Sequence, residues 1–401
     1  MNIKKLKNIK QEMVNSPEYL MYSLLWGIML IGYIRGIINH LPFLNHYTDL
    51  IELILIIGPI ILSIPRLFKI NNTIHGLALY VLFSAIYLVS YLTHPENSII
   101  LDKELFRCLI TVFPFVIIGC VLDYENCEKH FIYISVACIL VSSIYSLFYV
   151  QSSLYVGDVD TSDYNMNQAY MLLPHVLLCM YYLTKHFSIS LLLVELLGVL
   201  MLLSYGTRGP IVCLLSFFTF LVLFLNSNIN IKIKILIVLL IGVFIAFLKP
   251  IMLFLNYFVG DVLGMSTRIF EKFLEEELIE STGRDSIFNT LINEIKINDS
   301  IGGHGIFGSY NFTGGYPHNL FLDFWFSFGV FGGSLLLLFV FILIYKALKR
   351  SSFTQKSFIL ILFCCSIIKL LVSGSFIFDS YFFLLIGYSV QILLTKHKLI
   401  S

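Results

Sequence analysis

The sequence predicts an all-α polytopic membrane protein with about twelve transmembrane helices. Of its 401 residues, 58% are hydrophobic and only 13% are charged, whereas soluble globular chains have about 25% charged residues. Apolar runs long enough to cross a hydrocarbon core of about 30 Å recur along the whole chain. The predicted spans are residues 20–38, 48–65, 74–93, 105–122, 130–150, 167–183, 188–204, 210–226, 233–249, 318–346, 354–373 and 376–395.

The positions of the positive charges orient these spans. Short cytoplasmic loops of membrane proteins carry an excess of Lys and Arg. With both termini inside, the inner segments hold sixteen of the 26 Lys and Arg residues, spread over several short loops. This spread gives no basic patch for nucleic acid. The basic start precedes a full-length apolar run near Leu20 without a small-residue cleavage site, so we expect a retained first helix.

Residues 1–401 are interpreted as one integral membrane domain with two hydrophilic segments on the outer side. Residues 151–166 form the smaller loop, which carries three aspartates and no basic residue. Residues 250–317 form the large loop. Within it, Ser266 to Glu280 is predicted to be an amphipathic helix. The run Thr282-Gly283-Arg284-Asp285 resembles a capping box and is predicted to open a second helix through Ile295.

The stretch Tyr316-Pro317-His318-Asn319-Leu320 marks the return of the large loop to an apolar span. Proline suits a first helical turn, because its missing N–H would have no partner there. Counting about 100° per residue places Trp325, Gly329 and Gly332 on the same helix face as the histidine. The sequence therefore predicts a titratable side chain at the mouth of a helix, above a glycine groove.

Charged groups inside predicted spans are hypotheses for functional residues, because charge is costly in a bilayer. The candidates are Glu195, Asp323, Lys369 and Asp379. Asp323 lies about 140° round its helix from His318 and cannot orient that ring. Pairing between helices, for example of Lys369 with an aspartate, is the preferred interpretation, and none of the four is assigned a catalytic role.

Arginines in the outer segments are candidates for anion binding. Arg208 lies in a tight turn beside Gly209, which would let a phosphate approach the guanidinium and nearby N–H groups. Arg284 lies at a predicted helix N-terminus, a position that favours anions. Arg268 is a weaker candidate, since neighbouring glutamates can pair with it. A solvated turn residue is the alternative interpretation for each of them.

The predicted topology puts two histidines on the same outer face as these arginines, His304 and His318. Guanidinium groups bind a diphosphate bidentately, and a neutral imidazole can remove a proton from a hydroxyl near pH 7. The set suits transfer of a group from a phosphorylated lipid to a hydroxyl acceptor at the membrane surface. A transporter with scattered outer charges is the alternative. No Cys-x-x-Cys pair or other metal signature occurs, and no cofactor is predicted.

Three motifs resemble the bacterial O-antigen polymerase and ligase superfamily, which includes Wzy-type polymerases and lipid A-core O-antigen ligases. His318-Asn319, nine residues and then Gly329-Val330-Phe331-Gly332 is similar to the ligase-type signature. Thr282-Gly283-Arg284 followed by Gly302 to Phe307 resembles the family's Gly-Arg and glycine-rich loop. Thr207-Arg208-Gly209 is similar to its Ser/Thr-Arg-Gly turn. Phe288 stands where the family often has tryptophan.

The resemblance implies an inverting, metal-independent glycosyltransferase of the GT-C type in the bacterial inner membrane, with its site facing the periplasm. Its substrates would be undecaprenyl-diphosphate-linked oligosaccharides, and a chain-length regulator is an expected partner. Length and loop size resemble a polymerase of O-antigen or a related surface polysaccharide; a ligase and a flippase are the alternatives. The catalytic residues would be His318, Arg284 and Arg208, and the substrate-binding residues Arg268, His304, Asn319, Gly209 and Gly283.

Overall fold

The computed structural model describes residues 72–145, 166–205, 207–225, 248–262, 284–297 and 302–395, together with Tyr22, Trp26, Gly27, Leu30 and Leu274. All regular secondary structure in these ranges is helical, which confirms the all-α fold class for this part of the chain. The α-helices are α1 Thr73–Thr93, α2 Ser98–Phe106, α3 Pro114–Val121, α4 Tyr124–Tyr145, α5 Met166–Lys185, α6 Ile189–Ser204, α7 Arg208–Phe220, α8 Leu248–Tyr257, α9 Arg284–Ile297, α10 Gly308–Thr313, α11 Leu320–Arg350, α12 Phe353–Phe363, α13 Lys369–Val372 and α14 Ser380–Leu394.

Five helical segments of the described chain are long and apolar enough to cross a membrane. They are Thr73–Thr93, Pro95–Val121, Tyr124–Tyr145, Leu320–Arg350 and Phe353–Val372, and each overlaps a predicted span. Shorter apolar helices occupy Ile189–Leu203, Arg208–Leu223 and Ser380–Leu394. Predicted spans 20–38, 48–65 and 233–249 fall almost wholly outside the described residues, as do residues 151–165, so the number twelve stays a prediction.

The chain divides into two compact units, which we describe separately. Unit 1 comprises Met1–Leu67 and Tyr124–Ile279, and unit 2 comprises Phe68–Asp123 and Glu280–Ser401. In unit 1, α4, α5 and α6 pack against one another. A buried polar contact joins them to the start of the chain, because Trp26 Nε1 donates to Ser135 Oγ over 2.9 Å.

Unit 2 is built on close contact between α14 and α3. A Cβ atom at Gly387 would lie 2.1 Å from the carbonyl oxygen of Val116, and one at Gly119 would lie 2.5 Å from that of Leu384. Small residues at such positions let helix backbones approach closely, which is a principal source of attraction between helices in lipid. Helix α1 packs on the same short helix α3.

Helix α11 begins two residues later than the sequence suggested. His318 has a left-handed backbone, with φ of 53°, and therefore stands outside the helix. Asn319 is the N-cap, and its Oδ1 accepts a hydrogen bond from Leu322 N over 3.1 Å. Asparagine is among the preferred N-cap residues. The prediction that Pro317 occupies the first helical turn is wrong, since the cap follows it.

Helix α11 is also broken at Gly329, where φ is 75° and ψ is 160°. The predicted single face below His318 is therefore wrong, because a common face requires a continuous helix. The predicted glycine groove is filled by the chain at Gly329 but open at Gly332, where a Cβ atom would meet nothing nearer than 3.8 Å. A Cβ atom at Gly303 would lie 2.4 Å from Gly329 N, and one at Gly333 would lie 2.5 Å from Phe324 O.

Candidate functional site

Three connecting segments of unit 2 meet at the point where α11 begins. They are residues 94–97 after α1, residues 302–319 before α11, and residues 373–379 between α13 and α14; together we name them the loop end. They share hydrogen bonds and ring contacts with one another or with the first turns of α11. The loop end carries three of the residues predicted to bind or react with substrate: His304, His318 and Asn319.

The break in α11 anchors the glycine-rich loop. In a continuous helix the carbonyls of residues 326 and 327 would accept hydrogen bonds from the amides four residues later. Instead, His304 N donates to Phe326 O over 2.7 Å, and Gly305 N donates to Ser327 O over 3.1 Å. The kink at Gly329 therefore frees two acceptors that the loop uses, and each feature stabilises the other.

Asn97 ties the same loop to the turn after α1. It is only 1% exposed, and its Nδ2 donates to the carbonyl of His304 over 2.8 Å and to that of Ile306 over 3.2 Å. Ile306 N donates to Ser90 Oγ over 2.7 Å, and Asn311 Nδ2 donates to Asn97 Oδ1. A buried amide with both ends paired fixes the loop to a single position.

His304 is a packed side chain with one free ring nitrogen. Its ring stacks on Phe326 at 4.4 Å between centroids, and Phe312 meets it edge-on at 5.2 Å. Burial lowers the pKa of His304 below its usual value of 6.5. Its Nε2 is buried and has no hydrogen-bond partner among the described residues.

His318 presents a neutral imidazole. Its ring lies 4.3 Å from that of Tyr316, and its Nδ1 is buried with no hydrogen-bond partner in the described part of the chain. Burial, and after it the positive charge of Arg284, lowers the pKa of His318 from 6.5 to about 4. The ring is therefore uncharged at neutral pH, and the guanidinium is near enough to act on it.

Arg284 opens α9, as predicted from the capping-box pattern, although Thr282 and Gly283 lie outside the described residues. Its Nη1 donates to the carbonyl of Val372 over 2.7 Å. A guanidinium has five N–H donors, so one hydrogen bond to a carbonyl leaves other N–H groups that can bind an anion. The arginine is thus held beside His318 without an acidic partner at this contact.

Helix α9 is fixed on α11 by its apolar face. Leu291 is fully buried in a small cluster with Leu322 and Phe326. The predicted apolar stripe through residues 287, 291 and 295 makes this contact, as Ile287 and Ile295 pack against the cluster. Because Phe326 also supports His304, one side chain positions two parts of the site.

The charged residues within spans of unit 2 have structural partners. Lys369 Nζ lies 2.7 Å from Asp379 Oδ2, which confirms the predicted pairing of the lysine with an aspartate. Asp323 Oδ2 accepts hydrogen bonds from Ser375 Oγ over 2.6 Å and from Phe376 N over 3.1 Å. Both carboxylates hold residues 373–379 in place. Glu195, in unit 1, is buried, and neither of its oxygens has a hydrogen-bond partner among the described residues.

Several predicted site residues are not brought together by the structure. Arg208 and Gly209 start α7 in unit 1, so their grouping with the loop end stays a prediction. Arg268 lies outside the described residues, as Gly283 does. Asn319 uses its side-chain oxygen for the cap, and its Nδ2 group can still donate to a ligand.

An apolar cavity of about 160 Å³ lies within unit 2 beneath the loop end. Ile306 and Phe376 form its upper wall, and side chains of α1, α11 and α14 form the rest. Leu82 of α1 and Phe339 of α11, which line this cavity, are 52% and 65% exposed. An apolar cavity of this size holds a small hydrocarbon.

Arg107 is a site residue that the sequence analysis did not select. It lies at the end of α2 with its guanidinium carbon 4.4 Å from the centre of the Phe378 ring. Arg107 is the single charged residue within the predicted span 105–122, and this was the signal available in the sequence. Within the described ranges, no group of three or more His, Cys, Asp and Glu side chains is placed to hold a metal ion.

Comparison of the chain with protein-family models, curated proteins and solved structures finds no match. The geometry of the loop end and the sequence motifs are therefore what indicate a function.

Proposed function

We propose that the protein is a polymerase of O-antigen or a related surface polysaccharide, which joins undecaprenyl-diphosphate-linked repeat units. The observation that carries this proposal is that Arg284, at the start of α9, is near enough to His318 of the loop end for its charge to act on the ring, within one unit. An uncharged imidazole with a free nitrogen, next to a guanidinium, suits group transfer from a lipid diphosphate to a hydroxyl.

The proposed setting is the bacterial inner membrane, with about twelve spans in a GT-C-like arrangement and both termini in the cytoplasm. The loop end and the large loop at residues 250–317 would then face the periplasm, where lipopolysaccharide and related polymers are extended. The distribution of Lys and Arg along the sequence supports this orientation.

In the proposed reaction, His318 accepts the proton of the acceptor hydroxyl while that oxygen attacks the anomeric carbon of the donor. The bond between this carbon and the diphosphate oxygen breaks, and the lipid diphosphate leaves with the bonding electron pair. Arg284 stabilises the negative charge that grows on the leaving group. Arg208 remains a proposed catalytic residue on the strength of its sequence motif. A single displacement of this kind inverts the anomeric centre and uses no metal.

A pKa of about 4 makes His318 a weak base in the free protein. Burial is the larger cause of this low pKa and the charge of Arg284 is the second; a bound diphosphate would raise the pKa by countering the second cause. The substrate would in this way bring the base closer to the pH at which general-base catalysis is effective. The proton would be accepted only when the donor is in place.

The apolar cavity supports a lipid substrate. Ile306 of the loop end lines it, together with apolar side chains of α1 and α11. A short stretch of hydrocarbon chain next to the diphosphate would fill it. His304, Asn319, Arg268, Gly209 and Gly283 remain proposed substrate-binding residues, and a chain-length regulator remains a proposed partner.

Purified protein in vesicles without an ion gradient tests the proposal, with lipid-linked repeat units as the sole substrate. A ladder of chain lengths is expected. His318→Ala and His318→Asn should abolish it while the protein still inserts, and Arg284→Lys should weaken it if bidentate contact matters. Arg350→Gln is the matched control for Arg284, since Arg350 also donates to a carbonyl at a helix end. A full ladder from both His318 variants would overturn the assignment.

The two alternatives give different results in cells and vesicles. Deletion of the gene should leave single repeat units on lipid A-core if the protein is a polymerase, and no attached polymer or unit if it is a ligase. A flippase would move lipid-linked units between leaflets without extending them. The gathering of polar groups at one end of unit 2 favours an enzyme, because transporter sites lie near the bilayer midplane.

A further inference from the structure

The second substrate of the proposed polymerase has a particular chemistry. The acceptor is itself a lipid-linked repeat unit, so its reacting hydroxyl lies at one end and its diphosphate at the other. An enzyme that recognises the whole acceptor needs a sugar-binding surface leading away from His318. It also needs a cation at the far end of that surface, apart from the Arg284 site. This inference rests on the function proposed above.

A row of aromatic rings leads away from His318 across the loop end. The His318 ring lies 4.3 Å from Tyr316, whose ring centre is 6.5 Å from that of Tyr310. Tyr310 lies 5.8 Å from Phe307, and Phe307 stacks on Phe378 at 5.0 Å. Flat apolar faces with a polar edge are typical of surfaces that bind mixed apolar and polar ligands.

The exposure of the rings indicates which ones a ligand can touch. Phe307 is buried at 5% exposure and supports the row from below. Tyr316, Tyr310 and Phe378 are all partly exposed. Burial raises the pKa of Tyr310 to about 12, so its hydroxyl keeps its proton and can donate to a sugar oxygen.

Arg107 stands at the other end of this row. Its guanidinium lies over Phe378, and its side chain is 56% exposed. Its acidic neighbour is Glu104, whose nearest oxygen is 3.7 Å away, beyond hydrogen-bonding distance. Exposed pairs of this kind contribute little, so the guanidinium is available to a stronger anion. A diphosphate is such an anion, because it accepts paired hydrogen bonds from arginine.

We propose that the acceptor repeat unit lies along the row Tyr316, Tyr310 and Phe378, with its hydroxyl at His318 and its diphosphate at Arg107. The donor diphosphate stays with Arg284. Two separate anion contacts, joined by an aromatic surface, would let the enzyme hold two lipid-linked units in opposite roles. A ligase acting on lipid A-core would not need a lipid diphosphate at the Arg107 end.

Separate donor and acceptor substrates test this assignment in vesicles. The donor is a polyprenyl-diphosphate-linked unit whose terminal acceptor hydroxyl is blocked, so that it can only donate. One acceptor is a short-chain prenyl-diphosphate-linked unit, and the other is the same oligosaccharide as a neutral alkyl glycoside. Initial transfer rates at subsaturating acceptor give kcat/KM for each, and their ratio is the diphosphate preference.

Wild-type protein should prefer the diphosphate acceptor by about tenfold or more, as expected for a charge-assisted contact. Arg107→Gln should reduce this ratio to near one through KM, and Arg107→Lys should restore part of it. Tyr316→Ala should lower kcat/KM for both acceptors. Lys103→Gln is the matched control, because Lys103 is an exposed cation on the same helix. It should keep the wild-type ratio.

The outcomes separate this inference from the proposed function. If the wild type transfers and Arg107→Gln keeps the same preference for the diphosphate acceptor, the role of Arg107 is wrong, whereas the proposed polymerase function is not contradicted. A wild type that transfers well but shows no preference for the diphosphate acceptor would do the same. No transfer by the wild type with either acceptor would refute the proposed function itself.

Discussion

Replacing Asn97 with alanine should release the glycine-rich loop from the rest of unit 2. Asn97 is 1% exposed and makes three side-chain hydrogen bonds to this loop, to the carbonyls of His304 and Ile306 and to Asn311. Alanine removes all three and leaves two carbonyls and one amide without these partners. The cavity left by the side chain adds to the loss.

The size of the effect follows from these three bonds. Each hydrogen bond contributes a net stabilisation of about 1 kcal/mol, and groups left buried without a partner cost more. The loss should therefore be about 2–4 kcal/mol, which changes an equilibrium between docked and undocked loop by a factor of about 30 to 1,000. The loop of the variant would stay docked most of the time only if the docking free energy of the wild-type loop exceeds this loss.

Hydrogen exchange of the backbone amides measures this opening directly. His304 N, Gly305 N and Ile306 N donate to Phe326 O, Ser327 O and Ser90 Oγ and should be protected in the wild type. In Asn97→Ala their exchange should accelerate by the factor given above, and polymer formation should fall because His318 follows the same loop. Unchanged protection of the amides of residues 304–306 would refute the reasoning, whatever the function of the protein.

Three other predictions concern the site and its supports. The pKa of His318 lies below its usual 6.5, so the folded chain takes up this proton less readily than the unfolded chain. The stability of the protein should therefore fall as pH decreases from about 6.5 to about 4. The value of kcat/KM should fall only near pH 4, where the imidazole of the free protein becomes protonated. Arg284→Gln should move that fall to higher pH, as a pH-rate profile would reveal. Gly329→Ala should lower the free energy of unfolding by about 1–3 kcal/mol, because its φ of 75° and ψ of 160° suit glycine alone. Gly332→Ala is the control: a Cβ atom there has its nearest neighbour at 3.8 Å, so the melting temperature should not change. Lys369→Met should cost about 3–5 kcal/mol by leaving a buried carboxylate without its cation, whereas Lys369→Arg should lose much less; equal melting temperatures would contradict this.

Features that depend on average composition or on local periodicity were predictable from the sequence. Five predicted spans overlap described helical segments that are long and apolar enough to cross a membrane, because bilayer thickness sets a minimum run of apolar residues. The helix opened by Arg284 follows the 3.6-residue period of its apolar side chains. The pairing of Lys369 with an aspartate followed from the cost of an unpaired charge.

Features that depend on single backbone angles or on distant partners were not predictable. Neither Pro317 nor the apolar run after it indicates that His318 adopts φ of 53° and delays the helix. Hydrogen bonds from the amides of residues 304 and 305 stabilise the break at Gly329. These partners are more than twenty residues away in the chain, so the local sequence around Gly329 does not indicate them. Arg107 and Phe378 are far apart in the chain, so their contact is visible only in the folded structure.

The left-handed backbone of His318 bears directly on how its role is tested. Phe307 and His318 are the non-glycine residues with positive φ in the described part of the chain, and both lie at the loop end. This conformation costs about 1–2 kcal/mol for most residues and less for asparagine. Alanine at position 318 would keep that backbone cost while removing the ring. Asparagine keeps a polar side chain and tolerates the angle, so His318→Asn separates the loss of the imidazole from a shift of the loop. Strain of this kind persists only where the flanking contacts hold it, here the Asn319 cap and the Tyr316 ring.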